Sequence, residues 1–177
     1  PNKILVLLYY YLLKYKGWRG AAVRNLATTH LLDAIAQRFG EQCHEVPVGF
    51  KHISAKMLET SAIIGGESSG DLTVRGHIQG KDGIYAASLL VEMISTTGRS
   101  LSELYGEITG QCGSFEMVER GYRFSLEEKA RISRTLMEDR LLPDFGLEIG
   151  KVSYADGCKV YFQDGGWVVS RFSGTEP

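Results

Sequence analysis

The stretch AAVRNLATTHLLDAIAQRFGEQCHEV, residues 21–46, decides the fold class. Ala21 to Asn25 reads as a short strand and Cys43 to Val46 as the next. Between them Leu31, Leu32, Ile35, Ala36 and Phe39 recur at helical spacing, with Thr28 or Thr29 as N-cap and Gly40 as a stop. A strand, a helix and a strand in close succession predict a layered α/β domain, because each element buries its apolar side only against the other kind.

The alternation extends in both directions. Upstream, Asn2 is placed to cap a helix from Lys3 to Tyr15, stopped by Gly17. Its apolar run, Ile4 to Leu13, ends in Lys14 and Lys16 and falls well short of the roughly 20 residues of a membrane span, so it is read as buried. Downstream, a helix over roughly 54–59 follows Gly49-Phe50-Lys51, and a buried strand from Ser61 to Ile64 runs into Gly65-Gly66. A polar loop to Gly80 comes next. A helix from Asp82 to Thr97 carries Ile84, Ala87, Leu90, Val91 and Ile94 as its expected buried face, and Ser100 caps another to about Ile108.

Thr109 to Gly113 reads as a polar hinge, after which the pattern changes. Ser125-Leu-Glu-Glu128 is a capping box opening a helix to about Asp139. Leu147 to Tyr154, Lys159 to Gln163 and Trp167 to Phe172 then read as strands, turned at Asp156-Gly157 and Asp164-Gly165-Gly166. The expectation is a three-layer α/β/α domain with a mixed sheet over residues 1–108, followed by a truncated α+β domain over 114–177.

The composition narrows the function classes. Of 177 residues, 20 are Lys or Arg and 21 Asp or Glu, a formal net charge of -1 that offers no general attraction to nucleic acid or an anionic membrane. Cys43, Cys112 and Cys158 are odd in number and far apart, which fits neither a zinc spacing nor a secreted disulfide scaffold and points to a reducing cytoplasm. His30, His44 and His52 show no metal-ligand spacing. The chain begins Pro-Asn without a Met and is read as a piece of a longer protein.

Three stretches carry chemistry. In Arg171-Phe-Ser173-Gly174-Thr175-Glu-Pro177 a guanidinium, two hydroxyls and a glycine form either an anion cradle or a polar turn. Gly65-Gly66-Glu67-Ser68-Ser69-Gly70 puts a carboxylate and a hydroxyl on a glycine frame, suited to adjacent sugar hydroxyls or to an ordinary loop. Lys51, His77 and Lys81 are candidates for phosphate steering or proton transfer, each with a plain alternative as a solvated side chain, and Asp82 can open the helix that follows.

Taken in order, Pro1-Asn-Lys-Ile-Leu5, Val48-Gly-Phe-Lys51, Gly65-Gly-Glu-Ser-Ser-Gly70, Lys81-Asp-Gly-Ile84 and Arg171-Phe-Ser-Gly-Thr-Glu-Pro177 resemble the α-D-phosphohexomutases, the phosphoglucomutase and phosphomannomutase family. The resemblance implies the third of four domains joined to the first part of the fourth. It implies a parent enzyme, an isomerase, that interconverts hexose 1-phosphate and hexose 6-phosphate through a phosphoserine and a bisphosphate such as glucose 1,6-bisphosphate, with magnesium. The phosphoserine and metal loops belong to N-terminal domains of the parent and have no counterpart here, so no metal ligand is expected in this chain, nor activity from it alone.

By the same resemblance Gly66, Glu67, Ser69 and Gly70 bind the sugar, and Arg171, Ser173, Gly174 and Thr175 bind the phosphate that is not reacting. Lys51, His77 and Lys81 then stand in catalytic or steering positions. Many family members have a second glutamate at Ser68, and some a histidine at Asp71, so these departures blur the choice of sugar; glucose phosphate comes first. A non-catalytic sugar-phosphate-binding module is the alternative. Neither nucleic acid nor membrane is expected as a partner.

Overall fold

A computed structural model describes residues 1–172 and divides the chain into two compact units, Pro1–Met117 and Val118–Pro177. The first contains α1 (Asn2–Lys14), β1 (Ala22–Asn25), α2 (Leu31–Phe39), β2 (Cys43–Val46) and α3 (Phe50–Thr60), then β3 (Ile64–Gly66), β4 (Leu72–Val74), α4 (Gly83–Thr97) and α5 (Leu101–Cys112). The four strands form one mixed sheet in the order β2-β1-β3-β4. β1 pairs in parallel with β2 and β3, and β3 pairs antiparallel with β4.

Helices cover both faces of this sheet. Side chains alternate along β1, so Ala22 joins the cluster containing α1, α2, α4 and α5, whereas Val23 joins Val46, Ile53, Met57 and Ala62 beneath α3. α1 is apolar on every side and accordingly buried from Leu5 to Leu13. The phenol groups of its three tyrosines still find partners. Tyr9 donates to the Gly20 carbonyl at 3.2 Å, Tyr10 to Glu107 and Tyr11 to Glu92 at 2.8 Å. Arg24, 3% exposed, donates to both Asp33 oxygens, at 2.6 and 3.0 Å, and to Glu45 at 2.6 Å, pinning α2 to the strand pair.

Gly65 and Gly66 are small because helices approach from opposite sides. A Cβ on Gly65 would sit 2.5 Å from both Ile53 and Met57 of α3, and one on Gly66 would sit 2.9 Å from Leu5 of α1.

Several sequence expectations are corrected. Asn2 does not cap α1: Pro1 holds that position, and the Asn2 amide instead accepts from the Thr29 N–H at 3.2 Å and donates to the Met117 sulfur. The loop to Gly80 contains β4, whose three residues are too few to show a period but complete the antiparallel edge of the sheet. On α4 the buried residues are Ala86, Leu89 and Met93, whereas Ile84, Val91 and Ile94 are exposed. Two apolar rows run along that helix, and only the packing selects between them. Thr109 to Gly113 is no hinge: α5 continues to Cys112 and Phe115 still packs on the core, which carries the first unit beyond residue 108.

The second unit contains α6 (Leu126–Ser133), continued by a π-helical turn (Arg134–Glu138), and an antiparallel meander of β5 (Ile149–Ser153), β6 (Cys158–Phe162) and β7 (Trp167–Ser170). The capping box at Ser125 and Glu128 forms as the sequence suggests. Cys158, Lys159 and Val160 of the central strand are its buried residues.

Candidate functional site

The strand order dictates where a ligand can sit. β1 leads through α2 to β2 on one side, and β2 leads through α3 to β3 on the other, with the two helices on opposite faces. The winding therefore reverses between β1 and β3, and the carboxyl ends of those strands are where open sheets of this kind take a ligand. Asn25 ends β1, Glu67 directly follows β3, and Gly49 precedes the N-terminus of α3.

These three residues meet. Glu67 is 6% and Asn25 2% exposed. The Asn25 Nδ2 donates to Glu67 Oε1 at 2.8 Å, and the Gly49 N–H donates to the same oxygen at 2.9 Å. The positive end of α3 adds favourable charge beside the carboxylate. Among the described residues both of these donors are on Oε1 and none is on Oε2. The five-residue connection from Glu67 to Asp71 is tight, with the Glu67 N–H bonded to the Asp71 carbonyl at 2.9 Å and the Gly70 N–H to the Glu67 carbonyl at 3.0 Å.

A second cluster rims the first. Asp71 Oδ2 accepts from the Ser69 hydroxyl at 3.0 Å and pairs with Lys81 Nζ at 2.7 Å. That pairing, aided at longer range by Glu67, raises the Lys81 ammonium above its ordinary pKa. Lys81 Nζ also lies 5.9 Å from the centre of the Phe50 ring. The stretches 48–51, 65–70 and 81–84 thus come together: Gly49 reaches Glu67, Lys81 lies over Phe50, and Asp71, directly after the second stretch, links Ser69 to Lys81.

His77 stands beside them in a pair of its own. Its Nε2 lies 2.8 Å from Asp82 Oδ2, and its ring stacks on Tyr85 with centroids 3.9 Å apart. Asp82 Oδ1 caps α4, accepting from the Tyr85 and Ile84 N–H groups at 2.9 and 3.0 Å. The Tyr85 N–H first, and His77 after it, hold the Asp82 carboxyl below its usual range. Lys51 is exposed in the first turn of α3.

Arg171 belongs to the second unit, where its Nε donates to Asp156 Oδ1 at 3.0 Å across the sheet's first turn. Ser173, Gly174 and Thr175 lie outside the described residues. Sequence reasoning missed Asn25 altogether. An asparagine closing a short strand ahead of a helix is the signal that points to it.

Among the described residues no three His, Cys, Asp or Glu side chains are grouped to hold a metal ion. The described residues therefore do not fit a magnesium site. No helix is long and apolar enough to cross a membrane.

A mixed α/β sheet with polar side chains gathered at its topological switch point defines the class of doubly wound domains that take a ligand there. Comparison with known proteins makes this specific: the chain belongs to the phosphoglucomutase/phosphomannomutase family, whose α/β/α domain III model matches residues 1–112. It is 30% identical over 158 residues to a phosphoglucomutase/phosphomannomutase of Thermococcus kodakarensis, covering 89% of this chain and 32% of the relative. It is 34% identical over 160 residues to a phosphoglucosamine mutase of Rubrobacter xylanophilus, with the same coverage. A crystal structure from Thermus thermophilus, described as a phosphomannomutase, superposes with a TM-score of 0.77 at 34% identity, over 97% of this chain and 35% of that one. The chain therefore spans about a third of the length of these relatives.

Proposed function

We propose that this chain supplies sugar and phosphate recognition to a hexose-phosphate mutase, which exchanges phosphate between the 1- and 6-positions through a phosphoserine and a hexose 1,6-bisphosphate. Residues 118–177 then begin the family's fourth domain, and other parts of the parent carry the phosphoserine and the magnesium. Glucose phosphate is the first substrate to test. The observation that carries this reading is Glu67, a buried carboxylate at the switch point with one oxygen fixed by Asn25 and Gly49.

A bisphosphate that turns over in its site needs contacts serving both orientations. Glu67 Oε2 accepts from ring hydroxyls that occupy nearly equivalent places in either pose, and Ser69 exchanges its bond to Asp71 for one to the sugar. Gly66 and Gly70 let the backbone approach closely. Lys51 and Lys81 attract the phosphate dianion, and His77, held by Asp82, is placed to move a proton. Arg171, with Ser173, Gly174 and Thr175, holds the phosphate that is not reacting. Binding at that remote end positions the reacting end.

The test is Glu67→Ala in the full-length parent, with kcat/KM measured from glucose 1-phosphate and from glucose 6-phosphate. Hydrogen bonds to a charged acceptor are worth about 1.5–3 kcal/mol, so a loss of roughly 10- to 100-fold is expected in both directions. Unchanged kinetics in both directions would overturn the reading.

A further inference from the structure

We infer that Asn25 is a positioning residue of this site, acting on substrate only through Glu67; the inference rests on the reading of Glu67 given above. The Asn25 amide is fixed from behind. Its Oδ1 accepts from the Ala27 N–H at 3.0 Å and from the Thr28 hydroxyl at 2.8 Å. With its oxygen doubly engaged, the amide can present only its NH2 face to Glu67. The amide orientation is therefore set by its bonding partners.

The consequence for Glu67 is geometric. Its residue lies at the end of a strand, and its side chain could otherwise adopt several rotamers. Two donors from separate elements, Asn25 on β1 and Gly49 at the start of α3, converge on Oε1. One fixed oxygen leaves the torsion of the carboxylate decided and Oε2 as the acceptor for a ligand.

A plain alternative is that Asn25 merely closes the local turn through Oδ1. The two roles use different atoms, so they separate experimentally. Asn25→Asp has the same shape and keeps the oxygen that Ala27 and Thr28 use, but it replaces the donor facing Glu67 with a second carboxylate oxygen. Because that oxygen also repels Glu67 whatever the role of Asn25, the separating variant is Asn25→Ser, which keeps an acceptor for the turn, adds no charge and cannot reach Glu67; a role confined to the turn would leave it close to the natural protein.

The experiment measures kcat/KM for glucose 1-phosphate and the thermal unfolding midpoint in the full-length parent, for Asn25→Ser, Glu67→Gln and the double variant. The expected result is a loss of roughly 10-fold or more with Asn25→Ser and no further loss when it is added to Glu67→Gln, because neighbouring residues acting as one unit are not additive. Should Asn25→Ser fail to fold, Asn25→Asp carries the cycle through its non-additivity with Glu67→Gln, which removes the charge that the new carboxylate would repel. Wild-type kinetics in the Asn25 variant, or a full additional loss in the double variant, would overturn the inference while leaving Glu67's own role intact. A Glu67→Gln variant without effect would overturn the site reading and this inference with it.

Discussion

Acid should loosen the first unit at one identifiable point, Glu107. This carboxylate on α5 accepts from Lys14 and Tyr10 of α1 and from Arg99, and its side chain is 15% exposed. Burial alone would raise its pKa, but the Lys14, Tyr10 and Arg99 donors outweigh burial and bring it from 4.5 down to about 2. The group is depressed in the folded state, so its contribution is complete above pH 4.5, declines as pH falls, and is gone below about 2. Such a difference corresponds to at most about 3 kcal/mol. Lys14 and Arg99 are each more than a third exposed, at 37% and 36%, and solvent screening reduces the figure to about 1–2 kcal/mol.

The assay is urea unfolding at several pH values between about 7 and about 2, followed through the amide NMR signals of α1, for the natural protein and Glu107→Gln. The glutamine keeps the shape and loses the charge. At about pH 6–7 the variant should be less stable by about 1–2 kcal/mol, and the gap should close as pH falls from 4.5 toward about 2. A gap that stays constant across that range would refute the reasoning, since other carboxylates titrate equally in both proteins.

Two further outcomes follow from individual contacts. Asp71→Asn removes the charge beside Lys81, so the Lys81 pKa should drop back toward 10.5, read from its side-chain carbon shifts against pH; an unmoved titration would show that the ion pair is not formed in solution. Gly157→Ala places a methyl at φ +85° and 2.4 Å from the Ser170 carbonyl oxygen. It should cost more than about 1 kcal/mol and speed hydrogen exchange of the β6 amides about fivefold or more, and unchanged exchange would count against the turn geometry.

Much of the architecture was legible because it rests on periodicity. The helix of residues 31–39 and the two strands around it follow from apolar spacing and from Gly40. The buried α1 follows from an apolar run with no polar side. The capping box at Ser125 and the glycine turns of the meander are local chemistry and form where they were expected. The motif stretches stood out for the same reason: glycines and polar groups interrupt the periodic background.

The misreadings share a different cause. β4 is three residues long, and its pairing partner rather than its own sequence makes it a strand. α4 offers two apolar rows, and its packing chose Ala86, Leu89 and Met93 over Ile84, Val91 and Ile94. The site shows this most directly. The sequence by itself determined which side-chain types stand at the candidate positions Glu67, Ser69, Lys81, His77 and Arg171, because side-chain type is local information. Only the tertiary structure decided that Asn25, 42 positions before Glu67 in the chain, fixes its carboxylate, and that Asp71 already engages both Ser69 and Lys81. Such pairings depend on strand order and register, which bring distant segments within hydrogen-bond reach and leave no periodic trace in the sequence.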